Sequence, residues 1–274
     1  MAINPITRNK IKDYLNSFIQ QQLSVYAQRS LREFQDVDSY LASLSKDGDL
    51  KPFHASLIPA SIMRLNRFER SLSTGLGSTF EECTRLIALD HHAVALRNYD
   101  IQAALDQAQW AAIDQLISII DRGLKHQTPS LNQMLEQIQS IPLTGILETH
   151  IVRADLYIQR HDGSELFFEI KSPKPNKGQC LEVMQRLLRI YTIKQQSAVP
   201  VKAFYAMAYN PWGISRASYR SSNTKKYTDF SNAVVIGQEF WSLIGEPSTY
   251  TELLEIYHEV GLDKSAEITQ KLLQ

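Results

Sequence analysis

The sequence predicts an α/β protein: a mixed β-sheet flanked by helices, carrying a large N-terminal helical part. Three observations predict it. Apolar residues recur every three or four positions through most of residues 6–139. The pattern then switches to a period of two over 151–171. Beyond that, helical and strand-like stretches alternate to the end of the chain.

Ile11, Leu15, Phe18, Ile19, Leu23 and Tyr26 define an amphipathic helix within 6–34, and Ser45 to Asp49 is a polar loop. Residues 60–74 read as a helix broken at Gly75-Leu-Gly77, after which Ser78 opens another to Leu89. Residues 100–121 read as a long helix on Ile101, Leu105, Trp110, Ile113, Leu116, Ile117 and Ile120, and 130–139 as a further one. Ile151–Gln159 and Leu166–Lys171 alternate as strands around Arg160-His-Asp-Gly-Ser164, a turn. Residues 179–196 are helical, 201–209 a buried strand, 233–236 a short strand, and 248–258 and 263–273 two terminal helices. The expected organisation is a helical part over 1–145, serving dimerisation and support of a cleft, and a core over 146–274, together one compact unit.

Several classes are excluded. The 274 residues contain no apolar run long enough to span a membrane, and the N-terminus lacks the pattern of a signal peptide. Cys83 and Cys180 form neither a zinc motif nor a disulfide framework, which fits a reducing cytoplasm. There is no phosphate-binding P-loop string. His91-His92 point apart on a helix, His150 reads as a strand-edge residue, and Cys180 has no base beside it.

The formal net charge is zero, which on its face argues against a polyanion ligand. The charge is segregated, however. Residues 1–150 carry 14 basic and 16 acidic side chains, 151–230 carry 13 and 6, and 231–274 carry 2 and 7. A segment of +7 between flanks of −2 and −5 is a footprint suited to phosphate, with the basic residues expected to line one cleft and the acidic C-terminal helices to face away.

The hairpin carries the chemistry. Alternation puts Asp155 on one strand and Glu169 and Lys171 on the other onto a single face. If residue i pairs with 324 − i, Asp155 lies opposite Glu169, with Cβ atoms about 5 Å apart. Two carboxylates at that spacing hold a hard divalent cation such as Mg²⁺, and the Ile170 carbonyl between Glu169 and Lys171 offers a further oxygen. Lys171, roughly 7 Å along the strand, would orient water and offset transition-state charge. The alternative is a surface salt-bridge lattice; the apolar run Leu166–Ile170 speaks for a buried Glu169 that needs a partner or a metal. The loop that follows supplies Lys174, Asn176, Lys177 and Gln179, residue types that contact DNA phosphates and bases, with Arg186 and Arg189 on the next helix and Arg216, Arg220, Lys225 and Lys226 in a later loop.

These residues resemble a known superfamily. Asp155 … Glu169-Ile-Lys171 is similar to the core of the PD-(D/E)xK nucleases, with Ala154 where a proline is usual. The strings from Glu148 to Tyr157 and Phe168 to Cys180, with Phe68-Glu-Arg-Ser71 and Leu76 to Glu82, resemble TdeIII-like type II restriction endonucleases over roughly 50–260. The resemblance implies a homodimer that cuts double-stranded DNA at a short palindrome, of GGNCC type, using Mg²⁺. It further implies a cognate DNA methyltransferase as genetic partner, Asp155 and Glu169 as metal ligands and Lys171 as the catalytic lysine. It also points to Glu81, in Gly77-Ser-Thr-Phe-Glu81, as an added metal ligand, with Glu69 and Glu82 as rivals. Ser78-x-x-Glu81 alternatively forms a helix capping box. Two other readings are a repair or recombination nuclease of the same superfamily and a non-catalytic DNA-binding protein.

Overall fold

A computed structural model describes residues 1–28, 35–43, 50–123 and 129–273. The loop expected over 45–49 lies outside these residues. The described chain forms ten α-helices and five strands. In order they are α1 (Pro5–Gln28), α2 (Val37–Ala42), α3 (Pro52–Leu57), α4 (Ala60–His91), β1 (Val94–Asp106), α5 (Gln107–Asp121), α6 (Leu131–Gln139), β2 (Leu147–Gln159), β3 (Glu165–Ile170), α7 (Lys177–Ile193), β4 (Val201–Met207), α8 (Ser222–Tyr227), β5 (Val234–Ile236), α9 (Gln238–Ile244) and α10 (Thr249–Leu273). Two compact units result: residues 1–7 with 80–253, and residues 8–79 with 254–274.

The first unit holds the sheet, in order β1-β2-β3-β4-β5. β1, β2 and β3 are antiparallel neighbours; β3, β4 and β5 run parallel. The β2–β3 hairpin follows the expected register: Leu156 pairs with Phe168, Tyr157 with Phe167, Ile158 with Leu166 and Gln159 with Glu165. Gly163 makes the turn possible, with φ of 83° and its N–H donated to the Arg160 carbonyl. β3 is buried along its whole length, because helices cover the parallel part of the sheet. Leu187, Leu188 and Val183 of α7 pack with Phe167, Tyr205 and Ile113 in the core.

Three elements depart from the sequence reading. The helix expected over 100–121 is a strand to Asp106 followed by α5. Ile101 and Leu105 have helical spacing, but pairing of β1 with all of β2 satisfies their backbone groups instead. Asp106 marks the change, capping α5 through the Ala108 N–H and also accepting from Thr144 Oγ1 and the Gly145 N–H.

α4 runs unbroken through Gly75 and Gly77. A Cβ at Gly75 would lie 2.6 Å from the Phe18 ring, so this glycine admits α1 at close approach instead of ending a helix. Ser78 is therefore a mid-helix residue that donates to the Gly75 carbonyl, and the capping box with Glu81 does not form. The two expected terminal helices are one, α10, because Glu259 and Glu267 are both engaged along α1, by Arg8 and Lys12 and by Gln20. Placing alanine at Gly75 is expected to lower stability, although alanine favours helices by about 1 kcal/mol over glycine; thermal denaturation reads the sign.

Candidate active site

The β2–β3 ladder ends at Leu156–Phe168, and just beyond it the strands part around the charged residues. Asp155 Oδ2 accepts from the Ile170 N–H at 2.8 Å and from Lys171 Nζ at 3.2 Å. Lys171 Nζ is 3.5 Å from Glu169 Oε2. Arg186 of α7 completes the cluster, its Nη1 2.8 Å from Glu169 Oε2 and 3.9 Å from Asp155 Oδ1, its Nη2 3.0 Å from Glu182 Oε1. The hairpin register and the parallel crossover through α7 thus bring four charges together.

Glu169 has no exposed surface, and its Oε1 is buried with no hydrogen-bond partner. Burial, then the Asp155 charge, push its carboxyl up to about 7, against the pull of Arg186 and Lys171. Burial acts to lower the Lys171 ammonium, but the two carboxylates outweigh it and hold it above the ordinary lysine value. An orphaned buried carboxylate oxygen beside a second carboxylate is a donor set that fits a hard cation. Asp155, Glu169 and the Ile170 carbonyl are the groups able to hold one.

Glu81 does not join them. Its carboxylate pairs with Arg97 of β1 at 2.6 Å. Of its rivals, Glu82 is held by Arg85 and Arg97, and Glu69 accepts from Ser73. Among the described residues no three acidic, histidine or cysteine side chains converge as a metal cluster. Arg97 of β1 and Arg85 of α4 thus pair with the two glutamates.

The expected DNA-contact residues divide. Asn176 and Gln179 form the capping box of α7, each side chain accepting from the other's backbone N–H. Lys177 is paired with Asp121 at 2.6 Å, and Arg186 lies in the carboxylate cluster. Arg189, Lys194 and Arg216 are likewise neutralised, by Asp114, Glu165 and Glu239. The basic segment is therefore not one uniform cationic cleft. Lys174, Arg220, Lys225 and Lys226 remain exposed, Lys174 with its ammonium over the Trp212 ring. The loop after Lys171 is pinned from α8 and the turn before it: Tyr219 Oη donates to the Pro173 carbonyl and Asn223 to the Pro175 carbonyl. Tyr219→Phe is expected to cost about 1 kcal/mol and to raise KM for DNA more than it lowers kcat, as thermal melts and steady-state cleavage would register.

Other candidates have structural roles. His91 and His92 bond to backbone carbonyls of Ala2, Leu243 and Ile244. His150 stacks on Trp110, which also receives the Arg189 guanidinium. Cys180 is buried, and burial pushes its thiol up to about 11. The protonated thiol stabilises the fold fully below the unfolded thiol's ordinary value; that contribution fades as pH rises through 11. Neither Cys180 nor the equally buried Cys83 should react with a thiol reagent at pH 8 until the chain is denatured.

The sequence reading missed Arg186 as a carboxylate partner and Arg97 as the partner of Glu81. The four-residue step from Glu182 to Arg186 on a helix was a usable signal for the first. Nothing local signalled the second: Arg97 lies before the helix expected over 100–121, in a stretch with no element assigned to it.

A five-stranded mixed sheet flanked by helices, with two carboxylates and a lysine where two strands part, is compatible with a restriction endonuclease-like fold. The comparison with known proteins is more specific. The family described as "Type II restriction endonuclease, HinfI" matches residues 7–261. The chain is 98% identical over 274 residues to "Type II restriction enzyme HgiEI" of Herpetosiphon aurantiacus, with 100% of both chains covered. It is 97% identical over 274 residues to HgiBI and 79% over 273 to HgiCII, type II restriction enzymes of the same organism, again with full coverage. The chain belongs to the HinfI family of type II restriction endonucleases. It is accordingly a site-specific endodeoxyribonuclease, and the repair nuclease and non-catalytic binder are set aside. The likeness to TdeIII-like enzymes holds at the level of type II restriction endonucleases. Among the described residues no helix is long and apolar enough to cross a membrane.

Proposed function

We propose that Asp155, Glu169 and Lys171 are a PD-(D/E)xK-type active site that hydrolyses double-stranded DNA with Mg²⁺. The observation that carries this is the convergence of Lys171 on both carboxylates, beside a buried Glu169 whose Oε1 has no partner. Asp155, Glu169 and the Ile170 carbonyl would hold the cation. When bound, it polarises the phosphodiester and makes water a better nucleophile. The Ile170 N–H fixes one Asp155 oxygen, Oδ2, while Oδ1 lies 3.9 Å from Arg186 Nη1. Lys171, held charged between two carboxylates, aligns the attacking water and faces the charge that builds on phosphorus oxygens. Water adds to phosphorus as the bond to the 3′-oxygen breaks, so the products carry a 5′-phosphate and a 3′-hydroxyl. Lys174, Arg220, Lys225 and Lys226 are the exposed candidates for phosphate contact. Two copies related by a two-fold axis would each cut one strand of a short palindrome, of GGNCC type, protected in the host by a methyltransferase.

Plasmid incubated with Mg²⁺ should give discrete fragments whose sequenced ends define one palindrome. EDTA should stop the reaction, and Asp155→Asn should give none. Fragments from the Asp155→Asn protein at the wild-type rate would refute the assignment.

A further inference from the structure

Arg186 is the one charged group at the site that the reaction above does not use. It links two acids: Glu169, fully buried, and Glu182, whose side chain is 51% exposed. In their ordinary charged forms Asp155, Glu169, Lys171 and Arg186 sum to zero. A neutral cluster attracts a divalent cation poorly. Moving the guanidinium off Glu169 leaves the remaining three at −1 and relieves Glu169 Oε2 of its nearest cation, with Lys171 3.5 Å away.

We propose that Arg186 is a built-in counter-ion that stands in for the cation on Glu169 and gates its entry. Glu182, one helical turn earlier and facing solvent, is the seat that retains the side chain when it swings out. The partner that draws it out is a DNA phosphate, which a planar guanidinium binds through paired hydrogen bonds. One side chain then couples DNA binding to cation loading. The free protein holds the cation weakly, and the DNA complex holds it tightly. Arg186 acts through Glu169 and is a positioning residue. This rests on the reading of Asp155 and Glu169 as cation ligands.

The test is calorimetric titration of the full chain with Ca²⁺ alone, without DNA. Arg186→Gln is expected to tighten binding about tenfold, the scale of removing one unit charge a few ångströms away. Glu182→Gln should weaken binding about threefold in the wild type and leave it unchanged in the Arg186→Gln background. A simple long-range charge effect would weaken it in both, and would overturn the proposal. So would Arg186→Gln binding no tighter than wild type. Added duplex DNA should tighten Ca²⁺ binding more in the wild type than in Arg186→Gln; equal tightening is the contrary result. Asp155→Asn separates the two levels. If it leaves Ca²⁺ binding intact, the assignment of the site fails. If it abolishes binding while Arg186→Gln does not tighten it, the gate alone fails. Glu182 is 51% exposed, and if Arg186→Gln does not fold, a Glu182→Gln protein that binds Ca²⁺ as tightly as wild type still overturns the proposal.

Discussion

Lys171→Ala is expected to slow DNA cleavage by about 100- to 1,000-fold, the range for removing one preorganised donor from a charged transition state. Lys171 has its ammonium 3.2 Å from Asp155 and 3.5 Å from Glu169, and its side chain is only 24% exposed. DNA binding in Ca²⁺ should persist in the variant, because Lys174 and Arg220 are untouched. Single-turnover cleavage at saturating enzyme isolates the chemical step from binding. Cleavage within tenfold of wild type would remove Lys171 from the mechanism.

Phe167→Ala is expected to destabilise the protein by about 3–5 kcal/mol, the usual cost of deleting a buried aromatic ring. Phe167 has no exposed surface and lies at the centre of the sheet. Its ring is 5.1 Å from that of Tyr157 and 6.5 Å from that of Tyr99, with Lys194 above it. Helices cover this part of the sheet, so the cavity has little freedom to collapse. The same strand presents Glu169 two residues later, and loss of the ring should loosen the carboxylate pair as well. Denaturant titration gives the first effect. A cleavage rate measured well below the unfolding midpoint gives the second. A loss under 1 kcal/mol would show that the sheet repacks.

Much of the site was legible because it is local. The turn Arg160–Ser164 fixes the hairpin register, and a period of two then decides which side chains share a face. That sufficed to bring Asp155, Glu169 and Lys171 together from spacing alone. The DNA-contact loop was legible in composition but not in use. Asn176 and Gln179 have the right chemistry for bases, yet their separation of three residues is equally that of a capping box, and the start of α7 claims them. Glu81 is the converse case. Its local setting matched a metal ligand, but the residue that neutralises it comes from β1, whose strand character lies in its pairing partner and not in its own sequence.

The sequence by itself determined the hairpin, its charged face, the segregation of charge and the kinship to type II restriction endonucleases. Each is written in neighbouring residues or in an unbroken string. Tertiary structure alone decided which charges are available. It made β1 a strand, ran α4 through two glycines with Phe18 in the space at Gly75, and set Arg186 on Glu169. A side chain's charge is a property of the sequence. Whether that charge is spent inside the protein or offered to DNA depends on partners distant along the chain, and only folding brings them within Coulomb range.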